Sequence, residues 1–339
     1  MITKKYEVSN DVYDKSIVEA ANILKSGGTV AIPTETVYGL AASAFCDDAI
    51  AKIFIAKGRP QDNPLIVHIA DISQLGEVAA EIPDEAYKLA EKFWPGPFTM
   101  VLKKGERVSN SVCGGLDTVA VRMPNNDIAR DIIRNSVPLA APSANISGKP
   151  SPTTANHVID DLSGKIDAVI MAGGCSVGVE STVITLCTNP PKLLRPGAVT
   201  AEQIREILPD LVIDNAVLNQ LGKDEKAASP GMKYKHYAPE TEVVLVEADS
   251  KSFVSYVNAQ ENCCAVCFSE EEALIDVKKI CYGSITSEES LAKNVFSTLR
   301  KVDDLGVKTV YIHAPEKNGV GLAVYNRLIR AAAFKVMKL

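Results

Sequence analysis

The sequence predicts two α/β units in tandem, a larger mixed sheet followed by a small doubly wound parallel one. Three observations carry this. Short β-branched runs alternate with segments of helical periodicity from Thr29 to Leu208. A polar stretch between Asn219 and Pro239 breaks that rhythm, and a second strand–helix alternation starts at Glu242. At 339 residues the chain is also longer than one core usually supports.

Taken in order, residues 11–26 place Ile17, Val18, Ala21 and Leu24 at helical spacing, and Gly27-Gly28 stops the helix. Residues 29–32 read as a short buried strand ended by Pro33. Asp47 or Asp48 is placed to cap a helix whose apolar face is Ile50, Ile53 and Phe54, closed by Gly58. Strands are expected at 65–69, 99–102, 118–122, 139–141, 168–172, 182–186 and 192–195, with helices at 84–93, 127–134 and 154–162 between them. A further helix is expected at 200–208. In the second unit, strands at 243–246, 265–268, 279–282 and 309–313 are separated by helices near 250–259, 287–302 and 321–334. The resulting division is 1–210, a linker at 211–240 and 241–339.

Composition narrows the function. The chain is 46% hydrophobic and 23% charged, enough for a core in each unit. A net charge of −6 opposes broad electrostatic capture of nucleic acid, while leaving room for a local basic pocket. The eight cysteines lack the spacing of a disulfide framework, and Cys264-Ala265-Val266-Cys267 reads as a strand rather than a metal or redox pair. No apolar run reaches the ~20 residues of a membrane span. The expectation is a cytoplasmic protein.

The chemistry-bearing residues are cations and hydroxyls on loops. Lys57 and Arg59 flank Gly58, and Pro60 stiffens the loop beyond them. Arg122 and Arg195 each close a strand, where α/β sheets bind ligands. The stretch from Ser143 to Ser151 offers hydroxyls, an amide and backbone N–H groups, the alternative being a plain turn with local Asx-type bonds. Glu180-Ser181-Thr182 follows glycines that permit close approach to a ligand, or simply a hairpin-like connection. His68, inside an apolar strand, reads as a satisfied core residue. No Ser or Cys nucleophile is paired with a His base in recognisable context, and Walker A and H-E-x-x-H patterns are missing. Any phosphate chemistry therefore rests on positioning and charge.

Several of these segments form a pattern. Pro33-Thr34-Glu35-Thr36-Val37-Tyr38-Gly39-Leu40, Lys57-Gly58-Arg59-Pro60 with Asn63-Pro64-Leu65, Trp94-Pro95-Gly96-Pro97, Ser143-Ala144-Asn145 and Glu180-Ser181-Thr182-Val183 resemble the YrdC-like domain. Leu194-Arg195-Pro196-Gly197, the run from Ser229 to Pro239 and Asn326-Arg327-Leu328 resemble the two-domain, Sua-type threonylcarbamoyl-AMP synthase family. The resemblance implies a YrdC-like twisted open mixed sheet plus a C-terminal Rossmann-like domain. It implies a nucleotidyltransferase that joins L-threonine, bicarbonate and ATP into threonylcarbamoyl-adenylate, releasing pyrophosphate. The product would serve tRNA modification next to the anticodon, through a TsaD/Kae-type transferase.

By the same resemblance Lys57 and Arg59 are the catalytic cations. Thr36, His68, Arg122 and Ser181 would hold L-threonine. Ala141 would join them through its backbone carbonyl, standing where many relatives carry a hydroxyl. Arg59, Asn63, Thr118, Ser143, Ser151 and Arg195 would line the ATP site, with Tyr234, His236 and Tyr237 folding over it as a lid. Mg²⁺ is expected on the ATP phosphates, with no protein metal site. Two other readings remain: a maturation factor that uses carbamoyl phosphate, and a non-enzymatic RNA-binding protein.

Overall fold

The apolar runs of the first 213 residues pair into one twelve-stranded sheet in a computed structural model, which describes residues 1–9, 12–219, 237 and 239–339. Its strands are β1 (Lys4–Glu7), β2 (Val30–Ile32), β3 (Gly39–Ser43), β4 (Ile66–His68), β5 (Ala79–Ala80) and β6 (Phe98–Lys104). They continue as β7 (Thr118–Arg122), β8 (Leu139–Ala140), β9 (Ala168–Met171), β10 (Thr182–Thr185), β11 (Lys192–Arg195) and β12 (Val212–Ile213). The spatial order is β1-β9-β2-β3-β8-β4-β7-β6-β10-β11-β12, with β5 beside β6. Parallel and antiparallel pairs alternate irregularly: β4 is parallel to β7, β7 antiparallel to β6, β6 parallel to β10, and β10 antiparallel to β11.

Alternation along the central strands decides which face is core. Val67, Val119, Val121, Phe98, Met100 and Leu102 point to one side and join the largest apolar cluster, with Ile53 and Phe54 of the Asp47–Lys57 helix. Ile66, Val101 and Ala120 point to the other side and meet Val183, Leu194 and Ala216 in a small cluster beneath the cavity. The Asp47–Lys57 helix begins with Asp47 already inside it, after Cys46. The Asp47 carboxylate caps nothing there, because the hydroxyls of Ser109 and Ser111 donate to it. Gly58 ends this helix in the left-handed conformation (φ 59°), as its C-cap position requires.

β13 (Glu242–Glu247), β14 (Cys263–Phe268), β15 (Lys278–Gly283), β16 (Thr309–His313) and β17 (Val336–Lys338) form a second, wholly parallel sheet ordered β15-β14-β16-β13-β17. It is covered on both faces, as parallel sheets are. Ala265 and Cys267 face the Ser250–Asn258 helix, while Cys264, Val266 and Phe268 face the Glu288–Lys301 and Gly321–Ala331 helices. The cysteine pair is thus strand interior, as its sequence indicated. Among the described residues no helix is long and apolar enough to cross a membrane.

The two units share a core. Val37 and Val179 of the first pack in the same cluster as Leu291, Phe296, Val324 and Leu328 of the second. Gly178 (φ 85°) makes this junction possible, since a Cβ there would lie 2.4 Å from the Lys293 Cα. Residues 212–217, expected in the linker, instead add β12 and a short turn to the first unit.

Candidate functional site

Strand register builds one wall of the site. His68 pairs with Arg122, Arg122 with Thr99, Thr99 with Val183, and Val183 with Arg195. These residues form a transverse row across five strands, with their side chains on one face, spanning about 19 Å at the usual strand spacing. β7 and β11 run in the same direction, so their terminal arginines reach one edge. The antiparallel neighbours begin there, which brings Thr99 and Ser181 between the two guanidinium groups; Thr99 and Ser181 hydroxyls lie 2.7 Å apart.

Arg122 is buried and tightly held. Its Nη1 donates to the Thr36 hydroxyl at 2.8 Å, Nε to the Gly96 carbonyl at 3.2 Å, and Nη2 lies 2.7 Å from the Glu35 carboxylate. The Glu35 contact is an ion pair without hydrogen-bond geometry, so of the five N–H groups of the guanidinium one on Nη1 and both on Nη2 are without a hydrogen-bond acceptor among the described residues. Thr36 is itself positioned by Thr34, whose hydroxyl lies 2.8 Å away and donates to the Val37 carbonyl at 2.6 Å. His68 is fully enclosed; burial, with Arg122 beside it, lowers its pKa to about 3. Its Nδ1 lies 3.2 Å from the Ile66 carbonyl, which only accepts, so Nδ1 carries the proton and Nε2 is left as an acceptor.

The opposite wall is a loop fastened by a lysine. Lys57 is buried, and its ammonium donates to the Ser143 and Asn145 carbonyls at 2.5 and 2.6 Å. Burial, and then Arg59, hold its pKa well below the usual lysine value. Two of its three donors are thus committed to shaping the loop. Asn145 closes the same turn, giving its amide protons to the Ile146 and Lys149 carbonyls at 2.8 Å each. Arg59 donates to the Asn63 and Pro64 carbonyls at 3.3 and 3.1 Å.

The third side is ionic. Arg195 donates to the Ser181 carbonyl and hydroxyl at 3.0 and 3.1 Å, and burial lowers its pKa to about 10. Glu180 accepts from the Ser151 hydroxyl at 2.5 Å and from Arg327 Nε at 2.9 Å. Burial by itself would raise the Glu180 pKa, but Arg327 and Arg195 hold it below the usual carboxylate value. Tyr237 closes the space, its ring 5.0 Å from that of Phe296 in the second unit, and burial pushes its phenol up to about 12.

Of the residues expected from the sequence, Thr36, Lys57, Arg59, His68, Arg122, Ala141, Ser143, Ser181, Arg195 and Tyr237 line a single cavity. Asn63, Thr118 and Ser151 do not line it. Thr118 lies on the same sheet face about 13 Å along β7 from Arg122, Asn63 is buried next to the Arg59 contact, and the Ser151 hydroxyl is given to Glu180. Tyr234 and His236 lie outside the described residues. The sequence reading assigned no role to Thr99, Glu35, Glu180, Asn145 or Arg327. All of these except Thr99 stand in the segments quoted above for the resemblance, and that was the signal that marked them.

Comparison with known proteins gives the family of the chain and the fold it shares. A family model described as "Telomere recombination" matches residues 22–197, and one described as "Threonylcarbamoyl-AMP synthase, C-terminal domain" matches residues 199–333. The chain is similar to threonylcarbamoyl-AMP synthases of Pyrococcus abyssi (47% identical, 94% of each chain) and Bacillus subtilis (43%, 96% of this chain and 95% of the other). A crystal structure of P. abyssi Sua5 complexed with L-threonine superposes with a TM-score of 0.89 at 42% identity, covering 100% of both chains. E. coli YciO shares the fold of the first unit, with a TM-score of 0.52 at 22% identity over 58% of this chain and 96% of the other.

Proposed function

This chain belongs to the two-domain threonylcarbamoyl-AMP synthase family, and we infer from that membership how its cavity works. The reaction joins L-threonine, bicarbonate and ATP into threonylcarbamoyl-adenylate, pyrophosphate and water. Bicarbonate loses water to give carbon dioxide, which the threonine amine captures as a carbamate with loss of its protons to solvent, and the carbamate oxygen attacks the α-phosphorus as pyrophosphate leaves. Because the substrate supplies the nucleophile, the protein's work is alignment, charge neutralisation and exclusion of water.

The observation that carries this reading is the transverse row: two buried guanidinium groups and a neutral imidazole on one face, with hydroxyls between them. Arg122 presents N–H groups of its terminal nitrogens that no acceptor of the fold takes to the threonine carboxylate. His68 Nε2 accepts from the amino acid, with Thr36, Ser181 and the Ala141 backbone completing the subsite. Arg59, Ser143 and Arg195 form the nucleotide side of the cavity, over which Tyr237 closes, while Asn63, Thr118 and Ser151 stand behind its lining. Lys57 holds the Ser143–Asn145 turn and keeps one N–H for the phosphates.

Mg²⁺ carried on the ATP phosphates would neutralise charge as pyrophosphate leaves. Lys57 and Arg59 would hold the phosphates that carry the ion. Among the described residues no three His, Cys, Asp or Glu side chains gather as a metal site, and both carboxylates beside the cavity are taken by arginines. The adenylate then passes to a TsaD/Kae-type transferase acting on tRNA.

The test is pyrophosphate release, with mass-spectrometric detection of the adenylate, omitting each substrate in turn. Product is expected only when threonine, bicarbonate and ATP are all present. Release that ignores threonine, or that prefers carbamoyl phosphate, would overturn the reading.

A further inference from the structure

Arg327 belongs to the second unit, on the Gly321–Ala331 helix, yet it is fully buried against the first. Its Nε meets the Glu180 carboxylate at 2.9 Å, Nη2 the Glu180 carbonyl at 3.2 Å, and Nη1 the Pro196 carbonyl at 2.7 Å. It therefore grips the residue before Ser181 and the residue after Arg195. These are the two segments that Arg195 itself joins through Ser181.

A buried carboxylate must be paired, and Glu180 has two cations within electrostatic reach, Arg327 and Arg195. The structure gives both its oxygens away from Arg195: one to Arg327, the other to Ser151. Arg195 is left directed at Ser181 on the cavity wall. We propose that Arg327 is a positioning residue for the nucleotide side of the site, sequestering the Glu180 carboxylate so that Arg195 is not drawn onto it. The inference rests on the nucleotide role given to Arg195 above. It assigns the second unit a direct part in forming the site.

Other contacts across the same junction do not touch Glu180. Arg300 donates to the Pro150 carbonyl at 2.6 Å and pairs with Asp161 at 2.7 Å. Arg300→Met therefore weakens docking of the units without freeing the carboxylate, which separates the two explanations.

The experiment measures ATP affinity by titration calorimetry on the full chain, with thermal melting of each variant. Arg327→Met is expected to weaken ATP binding by more than about tenfold, since Glu180 then captures Arg195. Adding Glu180→Gln to Arg327→Met removes the competing charge and is expected to restore affinity to within about threefold of the parent. Arg300→Met is expected to stay within that same range. A double variant no better than Arg327→Met, or an Arg300→Met as weak as Arg327→Met, would overturn the proposal. If Arg327→Met does not fold, Arg327→Gln carries the same comparison, removing the charge that holds Glu180 while keeping a polar head of similar length. A parent that binds ATP but releases no pyrophosphate with threonine and bicarbonate counts against the function. Unchanged ATP affinity in Arg327→Met counts against this inference alone.

Discussion

His68 makes folding stability depend on pH by an amount that its surroundings set. Its pKa is lowered from the ordinary 6.5 to about 3 in the folded chain, chiefly by burial and then by Arg122. Between those values the unfolded chain binds a proton that the folded chain does not. Stability therefore rises with pH through this window and is lost on acidification, by about 1.4 kcal/mol per pH unit once well below 6.5. From about pH 8 to about pH 5 the loss attributable to His68 is about 2 kcal/mol, and it levels off near about 5 kcal/mol below pH 3. His68→Asn keeps a donor for the Ile66 carbonyl but cannot titrate. Urea denaturation of both proteins at about pH 8 and about pH 5 isolates the contribution. The parent should lose about 2 kcal/mol more than the variant on acidification. Parallel losses would refute the enclosure of a neutral imidazole, and with it the acceptor role given to Nε2.

Three further predictions concern the cations and the cysteine pair. Arg122→Ala should lower threonine-dependent turnover by well over tenfold and cost about 3–5 kcal/mol of stability by stranding Glu35. Adding Glu35→Gln should recover stability but not turnover, as read by denaturation and steady-state assay. Lys57→Met leaves the Ser143 and Asn145 carbonyls without their donor, at about 1–3 kcal/mol each. Faster amide exchange in that turn and a raised KM for ATP are expected, and normal protection would count against the fastening role. Arg59→Ala should lose over about tenfold in pyrophosphate release, whereas Cys264→Ser, remote in a strand interior, should stay within about twofold. A large effect of Cys264→Ser on turnover would contradict its placement.

Legibility followed how local each signal was. The strands ending in Arg122 and Arg195 were readable because Val and Leu runs stop at a charge and a turn. β3 was not, since Gly39-Leu40-Ala41-Ala42-Ser43 has weak strand propensity and is a strand only because β2 and β8 pair on either side of it. His68 looked like a core residue and is one by burial, but the register also turns it into the cavity. Ser151 was readable as a loop hydroxyl, while its bond to Glu180 was not, because 29 residues separate them. Asp47 looked like a cap and instead binds two serines about sixty residues away.

The amino-acid order alone therefore determined the two α/β units, the inventory of cations and hydroxyls, and the motifs that carry the family. Those depend on propensity, periodicity and residue chemistry, which neighbours in the chain are enough to specify. Only the tertiary structure decided which cation faces which carboxylate, that Arg327 crosses from the second unit, and that His68 stays neutral. A buried charge takes its partner and its pKa from whatever the fold packs around it, and that surrounding comes from distant segments brought together by strand register.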